Sequence, residues 1–145
     1  MCLIAKGVEN EHVYTKQADV FYRDEYVTAF IASHWWPNNP GHVIIIPNKH
    51  IENIYDLPTN LSDRIHQLEQ TVAVALKKTY ECDGVSSRQH NEPAGDQDVW
   101  HYHLHIFPRY LNDDLYLHYR ERKLSAPPDR QAFVKKILQY FNKTT

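Results

Sequence analysis

His101, His103 and His105 alternate with Tyr102, Leu104 and Ile106, the period-2 pattern of a half-buried β-strand. On such a strand the three imidazoles share one face, spaced about 6.5–7 Å apart, while the apolar residues face a core. Three readings of the row compete. A solvated face that happens to be rich in histidine needs no chemistry. A metal site is the second, because His-x-His on a strand offers two imidazoles to one ion; the neighbourhood adds Asp96 and Asp98 but no obvious ligand motif. The third is phosphorus chemistry, in which one neutral imidazole attacks phosphorus and its neighbours hold the oxyanions. Histidine titrates near pH 6.5, so a neutral nucleophile is available at cell pH. Crowded imidazoles disfavour one another's protonation. The attacking ring also needs a partner on its other nitrogen to fix the tautomer.

The row runs from Gln97 to Pro108-Arg109, and proline, with no N–H to give a ladder, predicts that the strand ends or reaches an edge there. Upstream, Val20–Tyr22 and Val27–Ala32 read as strands joined by a turn at Asp24-Glu25. A Pro/Asn/Gly loop follows, carrying Trp35 and Trp36, which read as core or interface aromatics unless one lies near a bound base. His42–Ile46 reads as a central strand, apolar on both faces and closed by Pro47. Residues 49–56 suit a short helical turn. From Leu61, apolar residues recur at Ile65, Leu68, Val72, Ala75 or Leu76, and Thr79, the spacing of an amphipathic helix. Thr59 or Asn60 is positioned to cap its start and Gly84 lies just beyond its end. Val85–Gln89 predicts a strand, and residues 90–96 a turn-forming loop leading to the histidines. Pro127-Pro128-Asp129 introduces a last helix with Phe133, Ile137 and Phe141 on one stripe. The pattern predicts an α+β fold over residues 1–145, one antiparallel sheet with helices packed on it.

At 145 residues, 42% hydrophobic and 23% charged, the chain has the size and make-up of one globular domain with its own core. A net charge of −2 gives no reason to expect nucleic acid or a membrane surface as partner. Cys2 and Cys82 form no framework and read as reduced thiols. There is no leader-like segment and no run near 20 apolar residues. The expectation is a cytoplasmic protein.

Gln97-x-Val99-x-His101-x-His103-x-His105-x-x-Pro108-Arg109 resembles the signature of the histidine-triad (HIT) superfamily. Pro40-Gly41-His42, running through Val43–Ile46 to Pro47-x-x-His50, resembles its second landmark. The resemblance implies a HIT-like antiparallel sheet with one long central helix and a C-terminal helix, and a homodimer. It implies that His103 is the nucleophile on the α-phosphate of a nucleotide, forming a nucleotidyl-His103 intermediate that water hydrolyses. His101 and His105 would bind phosphate oxygens or manage the leaving-group proton. Gln97 would donate an amide hydrogen bond to phosphate, and His42 would stand behind the triad. His90 with Asn91, and Phe30 with His34, fall where phosphate and nucleoside contacts are expected, although His90 and His34 replace the usual residues. His50 reads as structural; His12, His66 and His118 read as surface residues.

Other departures bear on the leaving group. Many HIT proteins carry a hydroxyl where Asp98 stands. A carboxylate there repels a polyphosphate unless it is turned away or held by a cation, which leaves room for Mg²⁺ arriving with the substrate. Many relatives also hold a structural zinc through Cys-x-x-Cys and two histidines. Here the second cysteine is Ala5, so no metal is expected, His50 and His101 being too few to hold one. The ten-residue step from Phe30 to Pro40 and the Pro108-Arg109 ending resemble the dinucleoside polyphosphate hydrolases, such as those acting on diadenosine tetraphosphate. A nucleoside phosphoramidase, a non-catalytic nucleotide-binding module and a metal-dependent enzyme are the alternatives.

Overall fold

The computed structural model describes residues 1–144. A short N-terminal helix, α1 (Cys2–Ala5), is followed by β1 (Val20–Arg23) and β2 (Val27–Ile31). Asp24 makes their hairpin turn, its carboxylate accepting from the backbone N–H groups of Tyr26 and Val27 at 2.8 Å each, as the sequence suggests. Next come β3 (His34–Trp35), β4 (Val43–Pro47), α2 (Thr59–Thr79), β5 (Gly84–Gln89), β6 (Leu104–Arg109), β7 (Lys123–Leu124) and α3 (Pro127–Thr144). Five strands form one antiparallel sheet in the order β1-β2-β4-β6-β5, so β4 is its middle strand; β3 and β7 pair separately. No described helix is long and apolar enough to cross a membrane.

The two faces of the sheet do different work. Val27, Ala29 and Ile31 of β2, Val43 and Ile45 of β4, and Leu104 and Ile106 of β6 pack under α2 and α3. The helices contribute Ile65, Leu68, Val72 and Leu76 from one and Val134, Ile137 and Phe141 from the other, stripes at the 3.6-residue spacing. Phe30, Ile44 and Ile46 point the opposite way and meet Ile4 and Ala5 of α1. The register aligns Phe30, Ile44, His105 and Arg88 in a row across β2, β4, β6 and β5. That row is the floor of the site.

Two boundaries depart from the sequence reading. Pro58, not Thr59 or Asn60, occupies the N-cap position of α2; its fixed extended backbone serves where a side-chain oxygen was expected. The histidine strand is shorter than 97–109, because His101 and His103 precede the ladder that opens at Leu104. Pro47 ends the pairing of β4: it has no N–H to give, the side chain of His101 takes its carbonyl, and Tyr102 N–H goes to Ile51 O at 2.6 Å. The alternation itself holds, since Tyr102 and Leu104 join the core under the helices. At Pro108 the strand has reached an edge on its β4 side, as the sequence predicts, and β6 runs on to Arg109 beside β5 alone. Pro108 lies beyond the last β4 partner, and its carbonyl accepts from Asn39 Nδ2 at 2.8 Å instead.

Candidate active site

His103 is almost fully buried, at 2% exposure. Its Nδ1 lies 2.7 Å from the carbonyl oxygen of His101, an acceptor only, so Nδ1 carries the proton and Nε2 the lone pair. Burial holds the imidazole below its ordinary pKa, while the His101 carbonyl and Asp98 work in the other direction. The ring is therefore neutral at pH 7, with a defined tautomer.

His105 packs edge-on against His103, ring centroids 5.0 Å apart. Its Nδ1 is 3.3 Å from Nε2 of His42, and His42 stacks on Phe107. Burial, followed by the neighbouring His42 and His103, keeps His105 well below the usual imidazole range. Burial and the nearby Arg88 push His42 down to about 3. Low pKa values in a row of touching imidazoles follow from the absence of solvent and the cost of adjacent positive charges. His42 thus stands behind the triad as expected.

Two cavities meet at the triad. One, about 370 Å³, is lined by Phe30, Ile44, Ile4, Val13 and His34 as well as the triad's His103 and His105, a size and lining suited to an organic ring system. The other, about 260 Å³, is lined by Arg88, His90, Gln97, His105 and Arg122. Trp36 and Asp98 border both. Trp36 is thus the tryptophan near a ligand cavity, whereas Trp35 packs edge-on against Phe133 of α3.

Asp98 is turned toward His103, its carboxylate 3.8 Å from His103 Nε2. The cation that holds it belongs to the protein: Arg122 Nη1 lies 3.0 Å from its other oxygen. His90 donates from Nδ1 to the carbonyl of Gly95 at 2.7 Å and faces the smaller cavity. Two expected phosphate ligands do something else. Gln97 gives both amide hydrogens to carbonyls, Glu52 at 2.6 Å and Val99 at 3.1 Å, and accepts from Glu92 N–H; none is left for a phosphate, and its role is to fix the loop. Asn91 bonds Ile54 N–H and Gln89 and belongs to neither cavity lining.

His101 faces the other way. Its Nε2 donates to Pro47 O at 2.8 Å, leaving the Nδ1 lone pair toward Cys2 Sγ at 3.2 Å. His50 Nδ1 approaches the same sulfur at 3.3 Å. The sequence-based count of two zinc ligands is therefore short by one, since Cys2, His50 and His101 converge. Ala5, one turn on in α1, supplies no donor. These are ligand types that would hold a zinc ion, and the Pro47 carbonyl is the kind of outer partner that orients a ligating imidazole.

The HIT domain family profile matches residues 14–112. Protein hit of Bacillus subtilis (strain 168) is 34% identical over 93 residues, which span 64% of this chain and 63% of that protein. A bis(5'-adenosyl)-triphosphatase of Saccharomyces cerevisiae is 33% identical over 92 residues, 63% of this chain and 44% of the yeast protein. The match thus spans less than two thirds of either relative. Among solved structures, a Hit-like protein of Bartonella henselae superposes with a TM-score of 0.73 at 29% identity, covering 83% of this chain and 84% of that one. With the histidine row, the sheet behind it and the family profile in agreement, the chain belongs to the HIT domain family.

Proposed function

We propose that this protein hydrolyses dinucleoside polyphosphates by nucleotidyl transfer through His103. One observation carries the reading: a neutral imidazole whose Nδ1–H is fixed on the His101 carbonyl lies where an apolar cavity meets a polar one that two arginines line. A nucleoside in the first and a phosphate chain in the second put the α-phosphorus between them. Nε2 then forms a bond to phosphorus as the bond to the bridging oxygen breaks, and that oxygen leaves with the rest of the chain as a nucleoside polyphosphate. The positive charge arising on the His103 ring is met by the His101 carbonyl. Water next attacks the nucleotidyl phosphorus, releasing the nucleoside monophosphate, its proton to bulk solvent, and the neutral imidazole. His105, buried and uncharged, flanks the reacting phosphate without opposing protonation elsewhere. Zinc held by Cys2, His50 and His101 would tie the N-terminus to the segment bearing the nucleophile, a structural role only. The homodimer is carried by the family resemblance.

The test is hydrolysis of diadenosine tetraphosphate in ¹⁸O-water. Attack at the α-phosphorus places the label in AMP, and His103→Ala lowers kcat by about three orders of magnitude or more while near-UV circular dichroism is unchanged. Label in the polyphosphate product, or full activity without His103, would end the proposal.

A further inference from the structure

Arg88 is the one residue in the floor row whose chemistry the reaction above does not use. It stands directly opposite His105 on the neighbouring strand, about 4.8 Å further from the nucleoside cavity, one strand spacing. Its guanidinium lies under four aromatic rings: Phe107 at 4.8 Å, Trp36 at 5.4 Å, Tyr116 at 5.7 Å and Tyr119 at 6.0 Å from their centroids. The rings favour the charge, but a ring centroid is no hydrogen-bond partner. Among the described residues the Arg88 side chain makes no hydrogen bond and no ion pair, and its Nε is buried without an acceptor. A buried N–H with no acceptor is costly until one arrives. The cavity it lines also holds His90 and Arg122. Asp96 lines it too and forms no ion pair with Arg88, while Asp98 is paired with Arg122.

We infer that Arg88, with His90 and Arg122, forms a subsite for the anionic leaving group, so that the protein selects substrates whose α-phosphate is joined to a polyphosphate over those whose leaving group is a neutral amine. The inference rests on the α-phosphate reading above and names what lies beyond the scissile bond. Guanidinium matches phosphate oxygens in charge and in fork geometry. The sheet register sets the direction: nucleoside over Phe30 and Ile44, α-phosphate over His105, the next phosphates over Arg88.

Two substrates separate leaving-group recognition from the rest of catalysis, diadenosine tetraphosphate and adenosine 5′-phosphoramidate. Arg88→Met retains an apolar stem beneath the rings and removes the charge. It is expected to lower the ratio of kcat/KM for the first substrate over the second by about 10- to 100-fold, with Arg88→Lys falling between Met and wild type. Calorimetric titration with inorganic tripolyphosphate, which needs no turnover, should show binding to wild type and about 10-fold or greater weakening in Arg88→Met. An unchanged ratio in a folded Met variant overturns the subsite. So does tripolyphosphate that fails to bind wild type or binds the variant equally. If wild type turns over neither substrate, the hydrolase reading fails, and the tripolyphosphate titration alone judges Arg88.

Discussion

The readiness of His103 for the proposed attack depends on opposing influences over a few ångströms. Burial pushes the His103 pKa down, and the His101 carbonyl and Asp98 pull it back up. Activity needs the neutral ring, so the rate is full above the His103 pKa and is lost as pH falls through it, below the ordinary histidine value. Asp98 is the adjustable member, being half exposed and paired with Arg122. Its carboxylate stabilises the imidazolium across 3.8 Å, and removing that anion lowers the pKa further. Asp98→Asn is therefore expected to move the acid limb of the kcat/KM profile to lower pH, measured with diadenosine tetraphosphate. An unmoved limb, or one displaced upward, would show that Asp98 does not act on His103 electrostatically. A hydroxyl in this place has no such effect, so a carboxylate at Asp98 carries a pH signature.

The loop from β5 to β6 shows what an element contributes. Glu92 adopts φ 62°, ψ 167° and Asp96 φ 66°, ψ 24°, and the first of these is a region that side chains other than glycine's rarely enter. The closed hydrogen-bond set around Gln97, reaching Glu92 N–H, Glu52 O and Val99 O, holds the loop there and leaves His90 facing the smaller cavity. Glu92→Gly removes the conformational penalty and is expected to raise stability to urea by about 1 kcal/mol; a loss of stability would mean that the Glu92 side chain matters more than its backbone. Sequence periodicity located the elements around this loop well, because α2, β2 and β4 each show a strong apolar pattern. The histidine order was equally legible, since residue type and spacing define it. Gln97 and Asn91 were misjudged because a side chain's hydrogen-bond partner depends on chain segments far away, Glu52 for one and Ile54 for the other. Arg88 was invisible for a related reason: only the β5–β6 register puts it beside His105, and no local pattern reports register. Cys2 was discounted because its expected partner in sequence is absent, whereas its partners in space are present.

At the scale of the whole molecule, the larger cavity is closed by chain with little secondary structure of its own. Val13, Tyr14 and Thr15 line it, and an internal ion pair at the start of α3 holds them in place. Arg130 and Asp19, 2% and 1% exposed, meet at 2.9 Å. Arg130 Nη1 donates to Ser125 O at 2.6 Å, and Nη2 to Tyr14 O at 3.1 Å. One guanidinium thus ties β1's approach, the wall of the cavity and the C-terminal helix together. Asp19→Ala leaves that charge buried without its carboxylate, which is expected to cost about 3–5 kcal/mol in urea unfolding. Replacing both partners with apolar residues of similar volume, Asp19→Leu with Arg130→Met, is expected to recover most of that loss, since neither charge then needs solvation. The nucleotide KM should rise in the double variant, because removing Arg130 takes the donor from Tyr14 O and the anchor from the cavity wall. A double variant with restored stability and a raised KM separates the pair's two effects. A KM that returns to the wild-type value along with stability would show that Arg130 holds the fold together without shaping the cavity.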